Sequence, residues 1–199
     1  MRNATLLPMA LLAAVLATGC TTTTSTTGAS SASAAAGVGP LSAQERRDIA
    51  EGYRDTLQRL YTSTPGSREL VAKAAGVLVF PQALSAGFVV GGEFGNGELR
   101  TNDRFAGYYR TTTGSLGLQI GAQSRALVFL FMTQDSLNSF KQSKGWSVGA
   151  DASVAVLKVG ANGQIDTSVS SAPTIAFVMT NSGLMANLTF EGTKITRIE

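Results

Sequence analysis

The sequence has 199 residues, a formal net charge of +3, one cysteine and no histidine. A single cysteine cannot form an internal disulfide, and the lack of histidine removes the commonest general base and the commonest metal ligand. The modest charge argues against a nucleic-acid-binding protein, and the length beyond the first forty residues suffices for one domain.

The first twenty residues have the organisation of an export signal. The basic residue Arg2 lies at the N-terminal end, residues 4–17 are apolar apart from one threonine, and small residues precede Cys20. This order is typical of a secretory signal peptide, and the apolar run is shorter than the roughly 20 residues that a membrane-spanning helix needs. Residues 16–20 (LATGC) resemble the lipobox of bacterial lipoproteins, with Ala17 where leucine is commoner. We therefore expect a signal peptide over residues 1–19 and a mature chain that begins with acylated, palmitate-bearing Cys20.

A lipid anchor would account for the lone cysteine, because acylation consumes a thiol that is a liability in an oxidising compartment. Several acyl chains on Cys20 would give a durable anchor, whereas a single chain binds a membrane only marginally. The next residue is Thr21 and not aspartate. Similarity to sorted lipoproteins then implies the outer membrane, facing the periplasm. The alternative is an ordinary signal peptide with a chance cysteine.

Residues 20–40 separate the signal from the folded part of the chain. Residues 21–39 are threonine, serine, alanine and glycine with one valine. Such a composition cannot bury enough surface to offset the entropy of ordering. We predict a flexible tether with a reach of about 25 Å, followed by one domain over residues 41–199.

Three helices are predicted from local signals. The first begins with the capping box Ser42-Ala43-Gln44-Glu45 and ends before Thr64-Pro65-Gly66. A short second helix is expected over residues 67–75, with Gly76 as its C-terminal residue. The third covers residues 134–141, after Thr133 as its N-cap.

The remaining sequence has the patterns of strands. Apolar residues alternate over 116–120, 165–169 and 184–190, and Asn162-Gly163 is a strong hairpin signal. Residues 126–132 are apolar on both faces, which predicts a fully buried central strand. The 22 glycines, several within strand patterns, indicate bends or close approach of backbones. The expected fold class is α+β, a curled antiparallel β-sandwich or partly closed barrel with N-terminal helices packed on it.

The sequence does not predict an active site. Glycines 91, 92, 95 and 97 look loop-like but match neither the dinucleotide nor the P-loop pattern, so turn or bulge geometry is the favoured interpretation. Two carboxylates could act as acid and base, although surface or strand-end positions are the favoured interpretation for all five. The five are Glu93, Glu98, Asp103, Asp151 and Asp166. We expect no enzyme activity, no catalytic residue, no metal and no cofactor.

One turn and two aromatic positions lead to further structural predictions. Asn102-Asp103 looks like a turn, since no further oxygen ligands follow at the spacing of a calcium loop. Trp146 is interpreted as a core residue at the start of a strand. Tyr108-Tyr109 would place one ring on each face of a strand, one in the core and one exposed.

Eight segments, in chain order, carry a resemblance to a known family. They are residues 75–81 (AGVLVFP), 86–88 (AGF), 91–97 (GGEFGNG), 117–124 (GLQIGAQS), 130–133 (LFMT), Trp146, 149–154 (GADASV) and 183–188 (GLMANL). From about Ala74 to its end the chain resembles the SYLF domain family, the lipid-binding domain shared by bacterial lipoproteins and by fungal and animal actin-patch proteins.

The resemblance implies a non-enzymatic, phospholipid-binding domain, with phosphoinositides as ligands of eukaryotic members and actin as a partner of some. A periplasm has no actin and bacteria seldom make phosphoinositides. An anionic phospholipid or phosphoinositide-like headgroup is therefore the expected ligand, and neither actin nor nucleic acid is expected. One alternative is an envelope scaffold that binds another protein through an exposed sheet edge. Another is a small hydrolase that uses carboxylates alone.

The first helix supplies the candidate lipid-binding residues. Its apolar side chains fill an arc of about 120° on a helical wheel; they are Ile49, Tyr53, Leu57, Leu60 and Tyr61. Packing on the sheet is the favoured interpretation of this stripe, ahead of contact with a membrane. Basic residues form a shoulder beside it and are the candidates for an anionic headgroup, with ordinary helix-surface ion pairs as the alternative. They are Arg46, Arg47 and Arg54, and Lys73 of the second predicted helix is a further candidate.

Overall fold

A computed structural model of the protein describes residues 39–87, 90–116, 121–157, 171–180, 183–184 and 192–198. These residues form three helices and nine strands within one compact unit, Ala36–Glu199. The helices are α1 (Ala43–Ser63), α2 (Ser67–Lys73) and α3 (Gln134–Gln142). The strands are β1 (Gly76–Gly87), β2 (Val90–Thr101), β3 (Arg104–Leu116), β4 (Gly121–Phe131), β5 (Trp146–Ser147), β6 (Ala155–Val156), β7 (Thr174–Thr180), β8 (Gly183–Leu184) and β9 (Thr193–Ile198).

Helix α1 begins as the capping box predicts. The Glu45 N–H donates to Ser42 Oγ at 3.2 Å, and the Ser42 N–H donates to Glu45 Oε2 at 2.8 Å. The helix ends where the Thr64 N–H bonds the Leu60 carbonyl. Its buried residues are Ile49, Tyr53, Thr56 and Leu60. The apolar stripe therefore packs on the sheet, and the favoured interpretation of it is confirmed.

Helix α2 is shorter than predicted, because the residues that follow it pair with the sheet. The Ala75 N–H donates to the Phe131 carbonyl at 2.8 Å, which draws the backbone out of the helix. Gly76 is the first residue of β1 and not the end of a helix. A Cβ atom there would lie 2.6 Å from Leu137 Cδ1, so this glycine serves close packing against α3.

Strand β4 is a buried interior strand of a curled, half-barrel sheet, paired on both sides by β1 and β7, as predicted. The strand order is β5-β9-β3-β2-β1-β4-β7-β6, with β8 paired to β7. All residues from Ala126 to Phe131 are buried, while Met132 beyond the strand is half-buried. The α+β fold class is confirmed, although the sheet is mixed, because β6 pairs with β7 in parallel. The remaining strand pairs within the described ranges are antiparallel.

The two faces of the sheet carry separate cores. One is aromatic and includes Phe129, Phe131, Phe140 and the predicted core residue Trp146, which is 2% exposed. The rings of Phe131 and Phe140 lie 4.6 Å apart, with Trp146 edge-on to both. The other core is mainly aliphatic and lies under α1 and α2. Helices α1 and α2 on one face, and α3 with the Trp146 side chain on the other, thus cover the central strands.

The glycines near residue 95 lie within β2, so the loop-like appearance of this segment is misleading. The bulge lies in the partner strand: β1 places Phe80 and Pro81 opposite Gly97 alone. A Cβ atom on Gly97 would contact the Val79 carbonyl oxygen and lie 2.6 Å from the Phe80 ring. Glycine is needed there for close approach to the bulged strand.

Several predictions fall wholly or partly outside the described residues. These are the hairpin at Asn162-Gly163, the alternation over 165–169, residues 117–120 and most of 184–190. Leu116 pairs with Val90 in β2, whereas Gly121 pairs with Gly87 in β1. Leu116 therefore ends β3, and Gly121 begins β4.

Candidate functional site

The four basic residues proposed from the sequence occupy different surroundings. Arg46 is held in place, because its Nε and Nη2 atoms donate to the Leu41 carbonyl at 3.1 and 2.8 Å. Arg47 donates to the Gln44 side chain at 2.8 Å on the open surface of α1. Arg54 and Lys73 are also exposed. Arg46 also lines a groove.

The groove lies at the edge of the sheet, where β3 extends past the end of β9. Its volume is about 570 Å³, within the range of small-molecule sites. Its lining combines two guanidinium groups with aromatic and aliphatic side chains. The lining residues are Leu41, Arg46, Phe105, Gly107, Tyr108, Arg197 and Ile198.

A β-bulge brings two aromatic rings together in this groove. Arg100 pairs with Phe105 and Leu99 pairs with Gly107, so Ala106 is an extra residue in β3. Without the bulge, residues 105 and 108 would point to opposite faces of the strand. With it, the Phe105 and Tyr108 rings lie 4.7 Å apart, and Phe105 is 56% exposed.

Arg197 reaches the groove from the opposite face of the sheet. It pairs with Tyr109, whose ring lies in the aromatic core, whereas Arg46 comes from α1 on the other face. The Arg197 Nη2 atom donates to the Ala106 carbonyl at 3.5 Å. A Cβ atom on Gly107 would lie 3.4 Å from two guanidinium nitrogens of Arg197. The groove thus receives one arginine from each side of the β3 edge, with a glycine making room for the second.

One acidic residue next to the groove, Glu98, is already neutralised. Glu98 pairs across the strands with Tyr108 and is 2% exposed. Arg100 Nε donates to its Oε1 atom at 2.5 Å, and the guanidinium carbon of Arg100 lies 4.3 Å from the Tyr53 ring centroid. Burial, followed by the charge of Glu98, raises the pKa of the Tyr108 phenol. The groove therefore keeps a neutral phenol and the positive charge of its two arginines.

Tyr108 and Tyr109 confirm the prediction of one ring on each face, with Tyr109 buried and Tyr108 half-buried. Asn102 and Asp103 form the predicted turn, both with positive φ, between the paired residues Thr101 and Arg104.

The two buried carboxylates of the five, Glu93 and Glu98, do not form an acid–base pair with each other. Glu93 and Glu98 lie on opposite faces of β2, Glu93 bonded to Arg125 and Glu98 to Arg100. Asp151 accepts the Ser147 N–H, and Asp166 lies outside the described residues. Among those residues no group of three or more metal-ligating side chains comes together. The structure therefore gives no support to a carboxylate hydrolase.

Other predicted features lie outside the description or find little support in it. Cys20, the signal peptide and residues 20–38 are not covered by the description. No helix among the described residues is long and apolar enough to cross a membrane. The outer strands of the sheet order, β5 and β6, have two residues each, so neither strand by itself offers a long edge for a scaffold partner to extend.

Comparison with known proteins supports the resemblance read from the sequence. Residues 112–198 match the family model described as Ysc84, Las17-binding protein actin regulator. The matched range includes the quoted segments from residue 117 onward, and those from 75 to 97 precede it. No curated protein matches the chain. The match over residues 112–198 is therefore consistent with a domain of the SYLF (Ysc84) family, a family of binding domains.

Proposed function

We propose that this protein is a lipoprotein of the outer membrane, facing the periplasm, whose SYLF domain binds anionic phospholipid without catalysing a reaction. The observation that carries the binding function is the groove at the β3 edge, which places Arg46 and Arg197 beside exposed Phe105. The family match supports a binding role, and the predicted signal peptide with acylated Cys20 supports the location.

Phosphate is the group that this lining suits best. A guanidinium presents five N–H donors in a planar fork, and it binds phosphate oxygens through charge-assisted hydrogen bonds. The Leu41 carbonyl takes two of the donors of Arg46 and fixes its orientation. The remaining N–H donors of the Arg46 guanidinium have no acceptor in the described part of the chain. A ligand with two anionic oxygens could therefore engage both arginines.

The lipid part of the ligand would meet the apolar part of the lining. Phe105, Leu41 and Ile198 supply apolar surface, and Tyr108 supplies an amphipathic ring. Tyrosine and tryptophan concentrate at membrane interfaces because their apolar rings carry a polar group that matches that boundary. A small soluble anion would leave this surface in water, so a phospholipid uses more of the groove.

The groove also lies where the anchored chain would join the domain. Leu41 is buried in its lining and directly follows the predicted tether of residues 20–40. A tether with a reach of about 25 Å keeps the groove close to the bilayer that holds Cys20. Tethering raises the effective concentration of lipid at the groove, so even a weak headgroup contact would be occupied. Because we propose export, actin binding is not proposed.

Vesicle binding tests this function. The mature chain carrying Cys20→Ser, without acyl groups, would be sedimented with vesicles of anionic phospholipid and with vesicles of phosphatidylcholine alone. We expect binding to the anionic vesicles, weakened by added salt because exposed charges are screened. Equal binding to both vesicle types, or no binding to either, would contradict the proposal.

A further inference from the structure

We infer that the tip of the β2–β3 hairpin enters the membrane interface, with Phe105 among the lipid chains and the phosphate held between Arg46 and Arg197. This inference rests on the proposed function and adds an orientation of the domain on the bilayer. It assigns to Phe105 a contact with acyl chains and to the two arginines a shared headgroup.

The hairpin tip holds the Phe105 ring in a defined position before any ligand binds. Two residues with positive φ, Asn102 and Asp103, connect the strands, and the flanking residues Thr101 and Arg104 are paired. Tight two-residue hairpin turns of this kind match the twist of their strands. Phe105 follows the first pair and packs on Tyr108, so its exposed ring is already oriented before any ligand binds.

Exposure alone does not single out Phe105, because Leu84 is 50% exposed. These two are the large apolar side chains that remain exposed in the described ranges. Leu84 lines a second groove whose rim includes Glu45 and Asp48. Those carboxylates would repel an anionic surface, whereas Phe105 shares its groove with two arginines. The tip itself carries the exposed Asp103 beside the exposed Arg104, so Arg46 and Arg197 leave the described residues around Phe105 net positive, and charge complementarity selects this end of the sheet.

The two exposed side chains lie far enough apart for an orientation measurement. Leu84 pairs with Phe94, and Phe105 pairs with Arg100, six residues further along β2. At about 3.3 Å per residue, the two positions lie about 20 Å apart along the strand. A domain resting on its hairpin tip would thus immerse residue 105 and leave residue 84 in water.

Tryptophan fluorescence would report this orientation. Phe105→Trp and Leu84→Trp would be made separately in the mature Cys20→Ser chain, where the single native tryptophan, Trp146, is buried and serves as an internal reference. With anionic vesicles, we expect Phe105→Trp to gain a blue-shifted emission that brominated acyl chains quench. Leu84→Trp should respond no more than the native chain does.

A second variant measures the contribution of the ring to binding. Phe105→Ser should weaken vesicle binding about tenfold, since part of a phenylalanine side chain leaves water in the bound state. Phe105→Leu, which keeps an apolar side chain, should retain most of the affinity. Both changes are at an exposed position, and the unchanged emission of Trp146 would show that the fold is intact.

The outcomes separate the inference from the proposed function. Vesicle binding with an unquenched Trp at position 105 would overturn the inference and leave phospholipid binding standing. Stronger quenching at position 84 would overturn it as well, by placing the other end of the sheet in the membrane. Phe105→Trp emission that shifts with an envelope protein fraction and not with vesicles would indicate a protein partner and overturn it too. Absence of vesicle binding by the native chain would remove the proposed function itself.

Discussion

The ion pair between Glu93 and Arg125 allows a quantitative test of the sheet. Both side chains are largely buried, at 5% and 15% exposure, on the aromatic-core face. Arg125→Met would keep an unbranched apolar stem in place of the arginine side chain and remove its charge. Glu93 would then hold a buried carboxylate without its cationic partner, and breaking a buried pair in this way costs about 3–5 kcal/mol.

Such a loss is a large part of the total, because domains are stable by about 5–15 kcal/mol. For a domain of this size, 1 kcal/mol corresponds to about 2–4 °C in melting temperature, so we expect a decrease of about 10 °C. Urea denaturation of native and Arg125→Met chains, followed by circular dichroism, would measure the free energy of unfolding.

Two further variants show whether the buried charge is the cause. The double variant with Glu93→Gln and Arg125→Met removes both charges and should regain part of the lost stability. Arg104→Met removes an exposed arginine from the same sheet and should change stability by less than about 0.5 kcal/mol. If Arg125→Met loses less than about 1 kcal/mol, or if the double variant is worse than the single one, the pair is not buried as described.

Three other predictions address packing, capping and the anchor. Gly97→Ala should lower the free energy of unfolding, measured by urea denaturation, by about 1–3 kcal/mol because its Cβ would meet the bulged strand. Gly114→Ala, where a Cβ meets open space, should not destabilise the domain. Equal effects of the two changes would contradict the bulge. Hydrogen bonds from the Ser42 side chain and backbone lower the pKa of Glu45 below its ordinary value of 4.5. The ionised Glu45 side chain therefore stabilises the fold above that value, and this stabilisation is lost as the pH falls through the folded-state pKa. Glu45→Ala should lower the melting temperature more at pH 7 than at pH 3. An equal decrease at both pH values would count against the capping box. Cys20→Ser should release the full-length protein from membranes or leave it unprocessed, and unchanged fractionation with an unmodified N-terminal mass would exclude the lipid anchor.

Features set by local sequence were predictable. The Ser42 capping box fixes where α1 begins because both of its hydrogen bonds lie within four residues. An apolar run from Ala126 identifies the central strand because only a strand covered on both faces can bury it. The end of α2 was not predictable, since the role of Gly76 depends on Leu137, sixty-one residues further along the chain.

The groove was missed for a similar reason. A motif such as Asn102-Asp103-Arg104-Phe105 suggests an exposed aromatic residue after a turn, but the sequence does not mark Ala106 as a bulge. Without that bulge the alternation of the strand separates Phe105 from Tyr108. Arg197 contacts Ala106 across 91 positions of sequence, and only the pairing of β9 with β3 brings it there. Arg46 was predicted as a candidate from its helix, while its partners came from the sheet.

The most direct test of the central claim compares two double variants in vesicle binding. Arg46→Gln with Arg197→Gln removes the groove arginines, and Arg47→Gln with Arg54→Gln removes the same charge from the open surface of α1. Each basic residue at an anionic surface contributes about 1 kcal/mol, so the groove variant should bind about 30-fold more weakly than the native chain. The helix variant should stay close to native affinity. Loss of binding in the helix variant, with native affinity in the groove variant, would contradict the account and place the lipid contact on α1.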